Sequence, residues 1–246
     1  MKRSLALILA LFSPLALTQS PKEAVEAAFK AAFGNWRGKT YQGLDRVAYY
    51  TPEGQETQVL RIRTYLDLGG CRLRLEIAPE GEGAPAALVY TRERQFLRLP
   101  DGRETPLDDR LFLELIFAWQ TGFTGAAFGY DEVASLGKVA LPDGEAEAYR
   151  VVRRTHACLP KGVLEAKPYE GKVYLREGKV VGEGYFSPIL GAETLFLYRD
   201  FREEGGARHP LKGEGYVRQG DRWVLFSRGE TLEAQVDLPL EEALFR

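Results

Sequence analysis

Residues 58–78 read QVLRIRTYLDLGGCRLRLEIA, and this stretch decides the fold class. On both sides of Gly69-Gly70, apolar and polar residues alternate with the period of two that is typical of a strand with one buried face. Two glycines between such runs predict a two-residue hairpin turn, which places Leu66 opposite Leu73 on the apolar face. The apolar pairs predicted in this way are Leu68–Cys71, Leu66–Leu73 and Ile62–Ile77.

The polar face of the same hairpin carries charges that match across the turn. Asp67 lies opposite Arg72, and Arg63 lies opposite Glu76. Opposite charges on facing strands stabilise one register, and a slip by one residue would turn every apolar side chain towards water. Burial and charge therefore predict the same antiparallel pairing.

Similar alternation continues along the chain, with Gly, Pro or Asp between the runs. Besides the hairpin, the runs cover residues 40–50, 87–91, 95–99, 132–141, 146–155, 172–176, 179–187, 194–201, 213–218, 222–228 and 231–238. The sequence has no linker-like segment and no internal repeat. We therefore expect about 10 to 12 strands in one domain, residues 19–246.

Two segments show the period of a helix instead. Ser20 and Glu23 form a capping box, with Pro21 at the first helical position. The apolar stripe that follows comprises Val25, Ala28, Phe29, Ala32, Phe33 and Trp36. A helix with such a stripe must lie against an apolar surface.

The second helical segment starts at Asp108-Asp109 and runs to Gln120. After this start only Arg110 and Glu114 are charged, so the helix is apolar nearly all round and must be buried on more than one side. We expect it to be wedged into a concavity of the sheet, either as an ordinary core helix or as part of a ligand pocket.

The first 18 residues predict export. Two basic residues, Lys2 and Arg3, precede an apolar run over residues 5–12. This is the anatomy of a secretory signal peptide, here with a cleavage site after Thr18. The run is too short for a membrane anchor, which needs about 20 apolar residues. We expect the mature chain in the periplasm or outside the cell.

The composition favours a thermophilic source, because Arg is in excess over Lys and the chain has a single asparagine.

The chain has two cysteines, Cys71 and Cys158. In an oxidising compartment they are a disulfide candidate. The alternative is a pair of separately buried thiols, each acting as a small apolar side chain.

Composition and motifs exclude several classes of function. A formal net charge of −2 offers no basic face for nucleic acid and no polybasic attraction to a membrane. His156 and His209 do not have metal-ligand spacing, so we expect no metal and no cofactor, and we place His209 in a loop. The sequence contains neither a Gly-x-Ser-x-Gly elbow nor a Gly-rich phosphate loop. It therefore favours a binding protein over an enzyme, with a hydrolase as the remaining catalytic alternative.

Three stretches carry a resemblance to a known family. They are residues 89–98 (VYTRERQFLR), 172–185 (KVYLREGKVVGEGY) and 194–210 (TLFLYRDFREEGGARHP), the last followed by a strand and the closing residues 238–245 (LPLEEALF). Together with the order of helices and strands, they resemble the LolA-like superfamily of periplasmic lipoprotein carriers and outer membrane lipoprotein-sorting proteins.

The resemblance implies an α+β, mainly β fold. Its expected form is a half-open β-barrel, in which one curved antiparallel sheet has the N-terminal helix and the embedded apolar helix in or over its concave face. The lipoprotein carriers have an arginine in the first strand, for which Arg46 is the nearest candidate here.

The resemblance also implies an apolar cavity for lipid acyl chains, and packing physics supports it. A twisted sheet of this many strands must curl or split, and in a curled sheet a helix that fills the concave side only partly leaves a slot. In such a slot each buried methylene stabilises a ligand by about 0.8 kcal/mol. The pocket candidates are Leu60, Ile62, Leu66, Leu73, Leu75, Ile77, Phe112, Leu115, Ile116 and Trp119.

The expected partner is therefore a lipid or an acylated protein, held by a carrier for lipoprotein sorting. The alternative is an envelope sensor or scaffold that binds another envelope protein through the curved sheet.

Overall fold

The structure is a computed structural model that describes residues 19–81, 83–119, 122–159 and 163–246, with the backbone only for residues 116–119. The predicted signal peptide, residues 1–18, lies outside the described residues. The helices are α1 (Pro21–Phe33), α2 (Asp109–Trp119), α3 (Phe123–Phe128), α4 (Val163–Ala166) and a C-terminal 3₁₀ helix (Glu242–Phe245). The strands are β1 (Thr40–Tyr50), β2 (Glu56–Asp67), β3 (Arg72–Pro79), β4 (Ala86–Tyr90), β5 (Gln95–Arg98), β6 (Glu104–Pro106), β7 (Glu132–Leu141), β8 (Gly144–Arg153), β9 (Tyr169–Arg176), β10 (Lys179–Ser187), β11 (Ala192–Glu204), β12 (Ala207–Gln219) and β13 (Arg222–Val236).

All thirteen strands belong to one antiparallel sheet with the order β6-β5-β4-β3-β2-β1-β13-β12-β11-β10-β9-β8-β7. β6 and β7 are its two edges, so the sheet is not closed, and the predicted mainly β fold is confirmed. The runs 222–228 and 231–238 form one strand rather than two, because Gly229 and Glu230 between them pair with Val47 and Arg46 of β1. Within the described residues, no helix is long and apolar enough to cross a membrane.

The register predicted for the β2–β3 hairpin is confirmed. Leu66 pairs with Leu73 and Ile62 with Ile77, and both pairs of opposite charge face each other across the two strands. Alternation therefore determines the pairing here, because only this register keeps the apolar side chains on one face.

The turn of this hairpin is longer than predicted. β2 ends at Asp67 and β3 begins at Arg72, so four residues form the turn and Leu68 does not pair with Cys71 in the ladder. The carboxylate of Asp67 explains the change, since it accepts hydrogen bonds from the Gly70 amide (2.7 Å) and the Arg72 guanidinium (2.6 Å). Cys71, not a glycine, has the left-handed backbone conformation, with φ of 57°.

Helix α1 begins and packs as predicted. Ser20 and Glu23 form the capping box, and the whole apolar stripe is buried. The helix lies on the face of the sheet to which Tyr41 and Leu66 point, because these side chains share one core with it. We call this face the inner face and the opposite one the outer face.

The disulfide between Cys71 and Cys158 shows how strongly the sheet curls. Eight strand spacings separate β3 from β8, which is about 38 Å in a flat sheet. Cys158 lies five residues beyond β8, a reach of at most about 17 Å. The two Cα atoms are nevertheless 4.8 Å apart, and the Tyr90 hydroxyl donates to the Cys158 carbonyl at 2.7 Å. The two wings of the sheet therefore bend towards each other.

Candidate functional site

Helices cover only part of the inner face. Phe33 of α1 makes ring contacts with Phe123 of α3 and with Tyr198 and Phe201 of β11, at centroid distances of 5.2 to 6.3 Å. We call the region where α1 and α3 pack on β9 to β12 the covered half. Its interior is filled by aromatic rings.

A buried carboxylate lies at the centre of the covered half. Glu183 of β10 is fully buried, and its two oxygens accept hydrogen bonds from the Gly122 amide, the Tyr198 hydroxyl (2.8 Å) and the Tyr130 hydroxyl (3.1 Å). Burial raises the pKa of Glu183 from about 4.5 to about 7, because removal from water penalises the charged form more than these donors stabilise it.

The opposite charge nearest to this carboxylate is also buried. The Arg153 guanidinium lies 4.7 Å from the centre of the Tyr130 ring and donates to the Gly129 carbonyl. It attracts Glu183 electrostatically and so moderates the rise in its pKa. This network joins α3 to the sheet by polar contacts within an aromatic core.

The other part of the inner face, here called the open half, has side chains that the described residues leave only half-buried. By strand register, its half-buried apolar side chains all point to the same face as Tyr41. They are Val47, Leu60, Ile62, Ile77 and Leu88. These side chains present a continuous apolar surface on β1 to β4.

Bare backbone adjoins this surface. Gly213 and Gly229 are register partners, and Gly229 also pairs with Val47. A Cβ at Gly229 would lie 3.8 Å from Val47 Cγ2, and one at Gly213 would have only the Leu197 carbonyl oxygen nearby, at 3.6 Å. These are ordinary van der Waals contacts, so a Cβ would fit at both residues without displacing a described neighbour. We call this pair the glycine floor.

An aromatic row crosses the sheet beside the glycine floor. The ring centroids of Tyr49 and Phe226 are 6.4 Å apart, and those of Phe226 and Phe196 are 6.1 Å apart. Phe196 in turn stacks on Tyr185 at a centroid distance of 6.1 Å. The Phe226 ring lies over Gly215, where a Cβ would come within 3.0 Å of it. The row therefore bounds the open half on the side of β11.

Helix α2 lies at the end of this row. Asp108 caps it as predicted, with its carboxylate 2.8 Å from the Leu111 amide. Glu114 accepts hydrogen bonds from the Tyr185 hydroxyl (2.5 Å) and the Ser187 hydroxyl (2.6 Å). These bonds hold the apolar helix against the inner face at β10.

Solved structures share this architecture. A LolA superfamily protein from Nitrosomonas europaea superimposes with a TM-score of 0.57 at 12% identity, over 92% of this chain and 97% of that one. A putative outer membrane lipoprotein-sorting protein domain from Vibrio parahaemolyticus gives 0.53 at 12% identity, over 90% and 94% of the two chains. The fold is LolA-like. A DUF1329 family protein from Desulfovibrio piger gives 0.54 at 11% identity, over 92% and 97%.

No protein-family model and no curated protein matches the sequence. The LolA-like fold is therefore recognised from the backbone, since at 12% identity few side chains coincide.

The pocket candidates from the sequence occupy different parts of the LolA-like fold. Leu66, Leu73 and Leu115 are buried in the main core, and Leu75 and Phe112 pack against it while half-buried. Leu60, Ile62 and Ile77 belong to the open half. The side chains of Ile116 and Trp119 lie outside the described residues.

Several residues of the open half were not anticipated. Gly213 and Gly215 belong to the run 213–218, and their spacing of two was the available signal, whereas Gly229 lies between the runs 222–228 and 231–238. Arg46, the candidate for the first-strand arginine, points to the outer face and binds Glu80 at 3.1 Å. Its neighbour Asp45 points inward instead.

The histidines are not arranged as ligands. Among the described residues, no three His, Cys, Asp or Glu side chains are grouped in a way that could hold a metal ion. His209 lies on β12 and is fully buried, so its predicted place in a loop is wrong. The preceding Gly205-Gly206 form the turn, and β12 begins immediately after them.

The outer face carries grooves of its own. Two grooves of about 760 and 290 Å³ share five lining residues from β7, β9, β11 and β13. These are Leu136, Lys172, Tyr174, Glu193 and Trp223. Leu136 is 49% exposed, so this surface is partly apolar and accessible.

Proposed function

We propose that this chain is an exported carrier or binding protein that holds a lipid or a lipoprotein acyl chain on the open half of its inner face. The observation that carries the proposal is an apolar surface that α1 and α3 leave uncovered, beside a floor without side chains. Binding rather than catalysis is the activity that such a surface supports.

The energetics suit an acyl chain. Each methylene transferred from water to an apolar surface contributes about 0.8 kcal/mol, so a chain of about ten carbons needs no strong polar contact to bind. Half-buried side chains such as Leu60 and Ile62 lose their remaining contact with water when a ligand covers them. The fold supports the same function, because two of the similar structures are described as a LolA superfamily protein and as a putative lipoprotein-sorting domain.

The cellular site is part of the proposal. The leader-like residues 1–18 favour export. A disulfide between Cys71 and Cys158 is stable in an oxidising compartment such as the periplasm. A role in sorting lipoproteins to the outer membrane would fit this location.

The test is to introduce a side chain at the glycine floor. In Gly229→Leu, a side chain occupies the space beside Val47, and we expect the affinity for a fluorescent acyl-chain probe to fall at least tenfold. Arg228→Leu is the matched control, because it introduces the same side chain one residue away on the outer face. Native mass spectrometry of the wild type purified from its host should show a co-purified lipid that Gly229→Leu lacks.

Two results would contradict the proposal. One is a wild-type protein that carries no lipid and takes up no acyl probe. The other is an equal loss of affinity in Gly229→Leu and Arg228→Leu, because the effect would then not depend on the inner face.

A second candidate function is binding of a protein partner, and the outer grooves favour it. Trp223 and Tyr174 line an accessible groove of about 760 Å³, of the kind that binds a partner's apolar side chains. A photo-crosslinker at Leu136 should then capture a partner in the envelope that one at Glu53, in an exposed turn on the other wing, does not. The same capture should be lost in Trp223→Ala.

A further inference from the structure

Asp45 is a carboxylate on the apolar inner face. It pairs with Ile62 of β2 on one side and with Thr231 of β13 on the other, so it lies one row from the glycine floor. The next inward residue along β1 is Val47, which faces Gly229 directly. Asp45 is therefore a carboxylate directly beside the proposed acyl-chain site.

This carboxylate has little compensation from the protein. Its Oδ1 accepts one hydrogen bond, from the Thr231 hydroxyl at 2.6 Å. Among the described residues, Oδ2 has no hydrogen-bond partner and no basic side chain forms an ion pair with Asp45. Burial raises the pKa of Asp45, because the single hydrogen bond from Thr231 lowers it by less than the removal from water raises it.

The acidic residues on the outer face, unlike Asp45, have basic partners. Glu80 binds Arg46 at 3.1 Å, and Glu233 lies 3.7 Å from Arg63. On β1 to β4, every Lys and Arg points outward, and none occupies an inward position. The inner surface of these strands therefore has a negative group without a matching positive one.

The remaining ionisable groups near the open half add to this bias. Glu114 of α2 accepts a hydrogen bond from Tyr185 at the end of the aromatic row, and Glu183 lies deeper in the covered half. Two basic side chains of this interior are themselves buried, Arg153 against the Tyr130 ring and His209 against Tyr41. An anionic head group would meet carboxylates here, whereas a donor or a cation would find an acceptor.

We propose that Asp45 selects the polar head of the ligand, so that the open half takes a long-chain amphiphile whose head donates hydrogen bonds, an amine or a hydroxyl, in preference to one with an anionic head. The inference rests on the proposed function, since it names the ligand class of that same site. Thr231 acts as a positioning residue that fixes one carboxylate oxygen and leaves the other for the ligand.

The experiment compares three amphiphiles of equal chain length. Dodecylamine, dodecanol and laurate compete with the neutral probe N-phenyl-1-naphthylamine for the wild-type protein at pH 7.5. We expect the amine to bind at least tenfold more tightly than laurate, with the alcohol between them. This order of affinities in the wild-type protein already tests the proposal without any variant.

Variants then assign the preference to one residue. Asp45→Asn should bring amine and laurate to within about twofold of each other, while Asp45→Glu should keep the preference. Arg46→Gln is the control, because it removes a charge from the adjacent residue on the outer face. Circular dichroism of each variant establishes that it is folded.

The outcomes separate the two levels of the proposal. If laurate binds the wild type as tightly as the amine, or if Asp45→Asn keeps the preference, the head-group inference is wrong while the carrier function stands. If neither the probe nor any amphiphile binds the wild type, both are wrong.

Discussion

The covered half and the open half of the inner face belong to the same sheet and have the same alternation, yet their inward side chains are buried to different degrees. In the covered half, Phe33 and its aromatic neighbours from α1 and α3 fill the concavity, and Glu183 is fully buried among them. In the open half, Leu60 and Ile62 are half-exposed, and the glycine floor leaves space beside them. The comparison teaches that a helix partner, and not the strand pattern, decides whether an inward apolar residue belongs to the core or to a surface.

The largest effect should come from the link that holds the two wings together. Replacing Cys71 and Cys158 by serine removes a cross-link that closes a loop of 87 residues. Chain entropy then predicts a loss of roughly 4 kcal/mol in the free energy of unfolding. Urea unfolding with and without reductant measures it. A variant as stable as the oxidised wild type would contradict the predicted contribution of this link to the free energy of unfolding.

The next largest effect should lie in the covered half. Phe33→Ala leaves a cavity among four aromatic rings and should cost about 3 to 4 kcal/mol. Acyl-probe affinity should change less than in Gly229→Leu, because Phe33 reaches the glycine floor only through Tyr198, the register partner of Gly213. Loss of probe binding in a folded Phe33→Ala protein would mean that the two halves are not separate.

A smaller effect should appear as a pH dependence. With its pKa near 7, native Glu183 keeps its proton between about pH 4.5 and 7, whereas the unfolded chain loses it. The native state then binds more protons, so this group's contribution to stability falls as pH rises through that window, by at most about 3 kcal/mol. Urea midpoints from pH 5 to 8 should show this fall in the wild type and not in Glu183→Gln. Glu53→Gln, in an exposed turn, is the control and should retain the wild-type fall.

The smallest stability effect should come from the open half. Ile62→Ala removes a half-buried side chain and should cost only about 1 kcal/mol, since the residue is not packed on all sides. Its acyl-probe affinity should nevertheless fall severalfold. A cost equal to that of Phe33→Ala would instead indicate that the open half is a packed core, and the distinction between the two halves would disappear.

Sequence patterns predicted the features that depend on residues close together in the chain. The Ser20 capping box placed the start of α1, and Asp108 placed the start of α2, because each side chain satisfies an amide of its own helix. The register of the β2–β3 hairpin followed from alternation and charge. The length of its turn could not be predicted in this way. The Asp67 carboxylate binds the Gly70 amide and the Arg72 guanidinium, and the Gly-Gly pair does not indicate these contacts.

The candidate site was only half predictable. Leu60 and Leu66 have the same parity on β2 and the same apolar character, yet Leu66 is buried and Leu60 is not. The difference depends on where α1, α2 and α3 lie over the sheet, which no spacing within β2 encodes. The inward direction of Asp45 could be read from the parity of β1, but its lack of a cation depends on β13 and β2, its neighbours in the sheet.

The sequence by itself determined the mainly β character, the hairpin register, the two capped helices and a chain without recognisable catalytic motifs. Each of these depends on residues close together in sequence or on a simple period. Only the tertiary structure decided which part of the inner face α1 and α3 cover, that Gly213 and Gly229 lie side by side, and that Glu183 is fully buried. These properties arise when distant segments meet on one curved sheet, because burial and open space belong to the assembled face and not to any single strand.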